Sequence, residues 1–123
     1  MSDGTPYSIS TDTSFKGLEK FDVGAIADGC QEQWFNQTLC RVNDSVARVG
    51  VVQGEFHWHH HEDEDELFFV LSGRLFVDVE DRSVELGPQQ GFLVPRGLKH
   101  RTRAPERTVV LMFAGSGVAP TGD

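Results

Sequence analysis

The sequence predicts an all-β domain, a sandwich or barrel of short strands. Three observations carry that expectation. From Ser45 onward, apolar and β-branched runs alternate with turn residues: Asn43-Asp44, Gly54, Ser72-Gly73, Gly87-Pro88 and Pro95-Arg96-Gly97. The clearest run, Glu66-Leu67-Phe68-Phe69-Val70-Leu71, is rich in residues that favour sheets and stops at Ser72-Gly73. The chain has 123 residues, 38% hydrophobic and 24% charged, which suits one globular domain with its own core.

Taken in order, residues 1–13 are rich in Ser, Thr, Asp and Pro and are expected to be mobile or loosely docked. Residues 14–40 mix Phe15, Leu18, Phe21, Val23, Ile26, Trp34, Phe35 and Leu39 with glycines, and read as short strands or turns with a brief helix. The expected strands are 45–52, 55–61, 66–72, 74–79, 82–86, 91–94, 99–103 and 108–113. Neither a repeat nor a linker divides the chain. We therefore read residues 1–40 as an N-terminal extension, packing on the barrel or on a partner subunit, and 41–123 as the main domain.

Charge and composition exclude several partners. A net charge of -8 argues against nucleic acid, whose binding draws on Lys and Arg, and against anionic membranes. No apolar run approaches the roughly 18 residues that span a bilayer. Met1-Ser2-Asp3-Gly4-Thr5-Pro6 lacks the basic and apolar regions of a signal peptide, so a soluble cytoplasmic protein is expected. Cys30 and Cys40 fit neither a zinc ribbon nor a CxxC pair and read as two free thiols.

The chemistry concentrates in His57-Trp58-His59-His60-His61, followed by Glu62-Asp63-Glu64-Asp65-Glu66. Imidazoles and carboxylates together suit borderline first-row ions. On a strand, His59 and His61 leave the same face, with His57 beside them and Trp58 and His60 opposite. Glu62 to Asp65 read as a solvated turn. Glu66 differs because an apolar strand starts at once after it, and a hairpin return would carry it back beside the histidines. A fourth candidate is His100, just past the tight turn of Pro95 and Gly97. A competing set, His57, His59 and Glu64, repeats the same local spacing.

Together these residues resemble the cupin superfamily. His59-x-His61, four residues, Glu66, six residues and Gly73 match its first motif. Pro95-x-Gly97-x-x-His100 matches its second, although the leading glycine position holds Gln89 and the common asparagine after the histidine is Ala104. The resemblance covers about residues 46–114 and is similar to small single-domain bacterial cupins, often labelled mannose-6-phosphate-isomerase-like. It implies a small double-stranded β-helix, a jelly-roll barrel, behind the N-terminal extension. It also implies one divalent transition metal ion, Fe, Mn, Ni or Zn, held by His59, His61, Glu66 and His100.

Strand alternation then assigns the surroundings. Phe68, Val70, Phe92 and Thr102 would line a mostly apolar substrate pocket with the ligands, which suits an organic molecule carrying a chelating oxygen pair. His57 would face inward as a catalytic acid or base, its pKa lying near neutral. Leu67, Phe69 and Leu71 would face outward, so that face must be covered by the N-terminal 40 residues or a second subunit. The resemblance favours a homodimer. No glycine-rich phosphate loop is present, so a sugar phosphate is not implied. The reading that follows is a metal-dependent enzyme on a small organic molecule, an oxygenase ahead of an isomerase or lyase. The alternative is a non-catalytic ligand-binding, sensor or accessory cupin.

Overall fold

The computed structural model describes residues 7–117 and residue 120. Chain order is β1 (Ser8–Ser10), α1 (Val23–Gly29), β2 (Trp34–Val42), β3 (Ser45–Glu55), β4 (Glu66–Ser72), β5 (Leu75–Val79), β6 (Arg82–Leu86), β7 (Gly91–Val94) and β8 (His100–Gly115). The fold is all-β and jelly-roll-like. Strands run in the order β1-β2-β3-β8-β4-β7, with β5 and β6 joined through β8. All pairings are antiparallel except that of β1 with β2.

β8 holds the two halves together. Thr108–Gly115 lies between β3 and β4, while His100–Arg103 pairs with β5. The break expected between residues 103 and 108 is a bulge: β3 jumps from pairing Val52 with Thr108 to pairing Gly54 with Ala104. Such a bulge bends the strand and lets one chain serve both sides of the barrel. Gly73 stands opposite this corner at φ +87, where a Cβ would meet the Arg107 carbonyl oxygen at 2.6 Å. That position therefore accepts glycine alone.

β3 is buried on both faces, so its sequence does not alternate apolar with polar. Inward, Val52 joins Trp34, Phe56, Phe68, Val70, Leu75, Val77, Val110 and Met112 in the main core. Outward, Val49 and Val51 pack with Leu39 beneath Phe15, Phe21, Val23 and Ile26. The brief helix expected in 14–40 is α1, started by Asp22, whose carboxylate accepts from the Ala25 N–H at 2.9 Å. The expected boundary at residue 40 falls inside β2, which is a full member of the sheet. The expectation for residues 1–13 falls partly on residues 1–6, outside the described residues; Ser8–Ser10 form an edge strand on β2.

The expected strand 55–61 is not formed. Regular pairing ends at Glu55; beyond it the Phe56 N–H donates to the Thr102 carbonyl at 2.9 Å and an isolated bridge links His59 to His100. Phe56 and His59 are both buried although three apart, so counting by twos from His61 fails at residues 57–58. No helix among the described residues is long and apolar enough to cross a membrane. Cys30 and Cys40 are free thiols.

Candidate metal centre

Four elements converge on one point. Glu66 opens β4 between Val94 of β7 and Ala114 of β8. His100 opens β8, and two backbone hydrogen bonds of 2.9 Å clip His59 against it. His61 is placed through its carbonyl, which accepts from the Gly97 N–H at 2.7 Å. Gly97 can present that N–H because it sits at φ +79 in the Pro95 turn. Asp65 accepts from the Arg96 N–H at 2.9 Å, tying the same turn to the start of β4. The acidic run thus ends in a structural tether, while Glu62 to Glu64 are exposed.

Each of His59, His61, Glu66 and His100 offers a donor atom, and these atoms all lie within 4.8 Å of one another. All four are buried, at 9%, 3%, 5% and 1% exposure. His61 Nε2 is 3.3 Å and His100 Nε2 3.6 Å from Glu66 Oε1. His59 Nδ1 lies 3.0 Å from the His57 carbonyl and His100 Nδ1 2.9 Å from the Leu98 carbonyl. A carbonyl accepts only from a protonated nitrogen, so both rings carry their N–H at Nδ1 and leave Nε2 to face the cluster. Both nitrogens of His61, Nε2 of His100 and Oε1 of Glu66 have no hydrogen-bond partner among the described residues. Buried polar atoms are rarely left so. A metal at about 2.0–2.2 Å from nitrogen and oxygen donors would satisfy the inward-turned ones together. The residues fit a metal ion.

The electrostatics agree. Burial pushes His59 down to about 4, which keeps it neutral as a ligand must be. Burial would raise Glu66, but the facing imidazoles of His100 and His61 outweigh it and hold the carboxyl at about 2. Arg48, buried on the inner face of β3, has its pKa lowered by burial and supported by Glu66; its Nε donates to Thr38 Oγ1 at 3.2 Å.

His59 and Glu66 also line a narrow cavity in the barrel with Trp34, Asn36, Phe56, Phe68, Thr102 and Met112. Its volume is about 30 Å³, room for one or two waters. Phe68 and Thr102 line this cavity. Val70 does not: it is fully buried in the core, on the ladder row of Val110. Phe92, on the edge strand β7, packs on the core and lines a separate outer cleft with Leu98 and Pro95. His57 is not inward-facing. It is exposed, stacked 4.4 Å from the Phe56 ring, with Nδ1 3.4 Å from the Tyr7 hydroxyl. The competing set fails with it, since the exposed Glu64 carboxylate lies against Gly115. Asn36 and Trp34 line the cavity from a region the sequence marks as an extension, and Tyr7 packs beside it on Trp34, Phe56 and His57. Their signal was the inward parity of Trp34, Asn36 and Thr38 along β2.

Comparison with known proteins decides the family. The cupin domain family matches residues 47–114, more than half the chain. This chain belongs to the cupin family. The cupin is 44% identical over 88 residues to the uncharacterized protein YdbB of Bacillus subtilis, across 71% of this chain and 78% of that one. It is 32% identical over 63 residues to a protein of Streptomyces cyaneus named polyketide synthase CurC, spanning 50% of this chain and 41% of CurC. Among solved structures, a cupin-2 domain protein from Shewanella frigidimarina superposes with a TM-score of 0.72 at 26% identity. That match covers 76% of this chain and 91% of the other.

Proposed function

We propose that this cupin is a metal-dependent enzyme acting on a small organic molecule, with an oxygenase ahead of an isomerase or lyase. The observation that supports it is the cluster of four buried donors, two of which, His59 and Glu66, line a mostly apolar cavity. Four protein donors leave up to two positions of a six-coordinate ion for substrate or solvent. When bound, Fe, Mn, Ni or Zn would supply Lewis-acid or redox chemistry at the cavity wall. The chain's own residues shape the site and exclude water: Phe68, Phe56 and Trp34 form its walls.

The test is metal analysis of protein produced without added metal, followed by a screen for turnover and oxygen uptake. The screen includes diketones, catechols, keto acids and, because of the relative named a polyketide synthase, small polyketides. One equivalent of metal and turnover within one class is the expected result. Among the described residues, none lining the cavity besides His59 and Glu66 is titratable, which favours the sensor or accessory reading as the alternative. Tight binding of one compound without turnover would establish that alternative.

We also propose a homodimer. Among the described residues, the N-terminal segment packs on the outer face around Val49, Val51 and Leu111, a cluster that includes no residue of β4. There Leu67 pairs with Leu93 on one side and Phe113 on the other. Leu93 and Phe113 are 52% and 39% exposed, and such a contiguous row is the kind of patch monomers seldom leave open. Light scattering should give twice the 13.7 kDa chain mass, and Leu93→Asp with Phe113→Asp should return it to one chain.

A further inference from the structure

We infer that Asn36 selects the ligand of this site: a small molecule with a metal-seeking oxygen at one end, a short apolar middle and a hydroxyl or N–H donor at the other. The inference rests on the metal reading above. Asn36 is 8% exposed and lines the cavity. Among the described residues its carbonyl oxygen has no hydrogen-bond partner, and its amide nitrogen meets only the sulfur of Met112, at 4.0 Å, a weak acceptor. A buried amide left in this state destabilises the fold, whereas an apolar residue of the same shape would not.

The position of Asn36 says what would satisfy it. Its ladder row is Asn36, Gly50 and Val110, continuing to Val70 on β4. Glu66 lies in the row of Ala114, two inward-facing residues further along the strands. The cavity is therefore polar at the metal end, polar again at Asn36, and lined between by Phe68 and Met112. Gly50 completes the far end. A Cβ there would come within 3.0 Å of Val110 Cγ1 and 3.1 Å of Met112 Cε, so its bare backbone leaves the space those tips occupy. The cavity as it stands holds one or two waters, so a ligand enters only by displacing the tip of Met112, an unbranched and adaptable side chain. A ligand with a donor at its far end would give the Asn36 carbonyl its hydrogen bond.

Two readouts test this. The first is stability of metal-free protein. Asn36→Leu replaces an amide by an apolar group of similar shape and should raise the melting temperature; a fall would mean that Asn36 is there for the fold, and would overturn the inference. The second is binding to zinc-loaded protein by calorimetry. The probes are ω-hydroxy acids from 3-hydroxypropionate to 6-hydroxyhexanoate, each paired with the acid in which methyl replaces hydroxyl. One chain length should bind about tenfold tighter with the hydroxyl, the value of a satisfied buried acceptor. That preference should vanish in Asn36→Leu and in Asn36→Ala, the second variant serving if the first does not fold. Equal binding of every pair by the wild type, or a preference kept by the variants, would overturn the inference. Zinc content of the same samples separates the two readings. A loaded protein without hydroxyl preference defeats this inference alone, and a protein that prefers the hydroxyl but takes no zinc defeats the metal reading alone.

Discussion

Two polar clusters lie back to back on the first residues of β8. His100 and Thr102 point inward; Arg101 and Arg103, alternating with them, point outward. The outward pair closes on Asp78 of β5, which accepts from Arg101 Nε at 2.9 Å, from Arg103 Nε at 2.8 Å and from the Ser83 hydroxyl. Arg101 also stacks on Trp58 and Arg103 on Phe76. Asp78 is 7% exposed in its side chain, yet none of its atoms is left without a partner. The inward cluster is as deeply buried and keeps four polar atoms unsatisfied. The same strand thus carries a network complete in itself and one that only a ligand completes. Burial and charge alone would not tell them apart; hydrogen-bond accounting does.

The comparison breaks most sharply on metal content. His100→Ala or Glu66→Gln should lower metal affinity at least about a hundredfold, since removing outer-shell partners of ligands already costs about ten- to a hundredfold. Asp78→Asn should leave it unchanged. Elemental analysis after dialysis reads both, and metal loss in Asp78→Asn would join the two clusters into one.

Metal removal comes next. If the ion binds only the folded chain, a free concentration a hundred times Kd adds about 2.7 kcal/mol. Chelation should lower the melting temperature of the wild type and of Asp78→Asn alike, and leave His100→Ala where it was. A wild type indifferent to chelation would show a barrel that does not lean on its centre.

Asp78→Asn itself should cost about 1–3 kcal/mol, because it weakens charge-assisted bonds at a buried acceptor. Denaturant unfolding checks it. No loss would place the outer network among surface ion pairs of little worth.

The smallest effect is a division of the pH profile of metal-free protein. His59 titrates near 6.5 when unfolded and about 4 when folded. The unfolded chain takes the proton first, so stability falls as pH drops from about 6.5 toward 4. Asp78 is raised by burial but lowered more by Arg103, Ser83 and Arg101, to about 2 from 3.8. Its contribution is complete above 3.8 and lost as pH falls toward 2, where Glu66 adds a like term. Asp78→Asn should shrink the lower step and spare the upper one. Equal loss in both steps would contradict the assignment.

The sequence by itself determined the all-β class, the cupin motifs and the spacing of His59, His61, Glu66 and His100. Those are local facts: a two-residue interval, a glycine that permits a positive φ, a proline turn ahead of a strand. Phe68 and Thr102 were legible for the same reason, since each lies on a regular strand two residues from a ligand. His57 was not, because parity holds only where a ladder holds the backbone, and pairing lapses at residues 57–58. Val70 and Phe92 have the right parity, but cavity depth and the edge of a sheet are set by other strands. Asn36 and Tyr7 come from far up the chain, and only the pairing of β2 with β3 and β1 with β2 brings them to the site. Tertiary structure alone decided which buried polar atoms are satisfied, because a hydrogen-bond partner is a matter of where the rest of the chain lies.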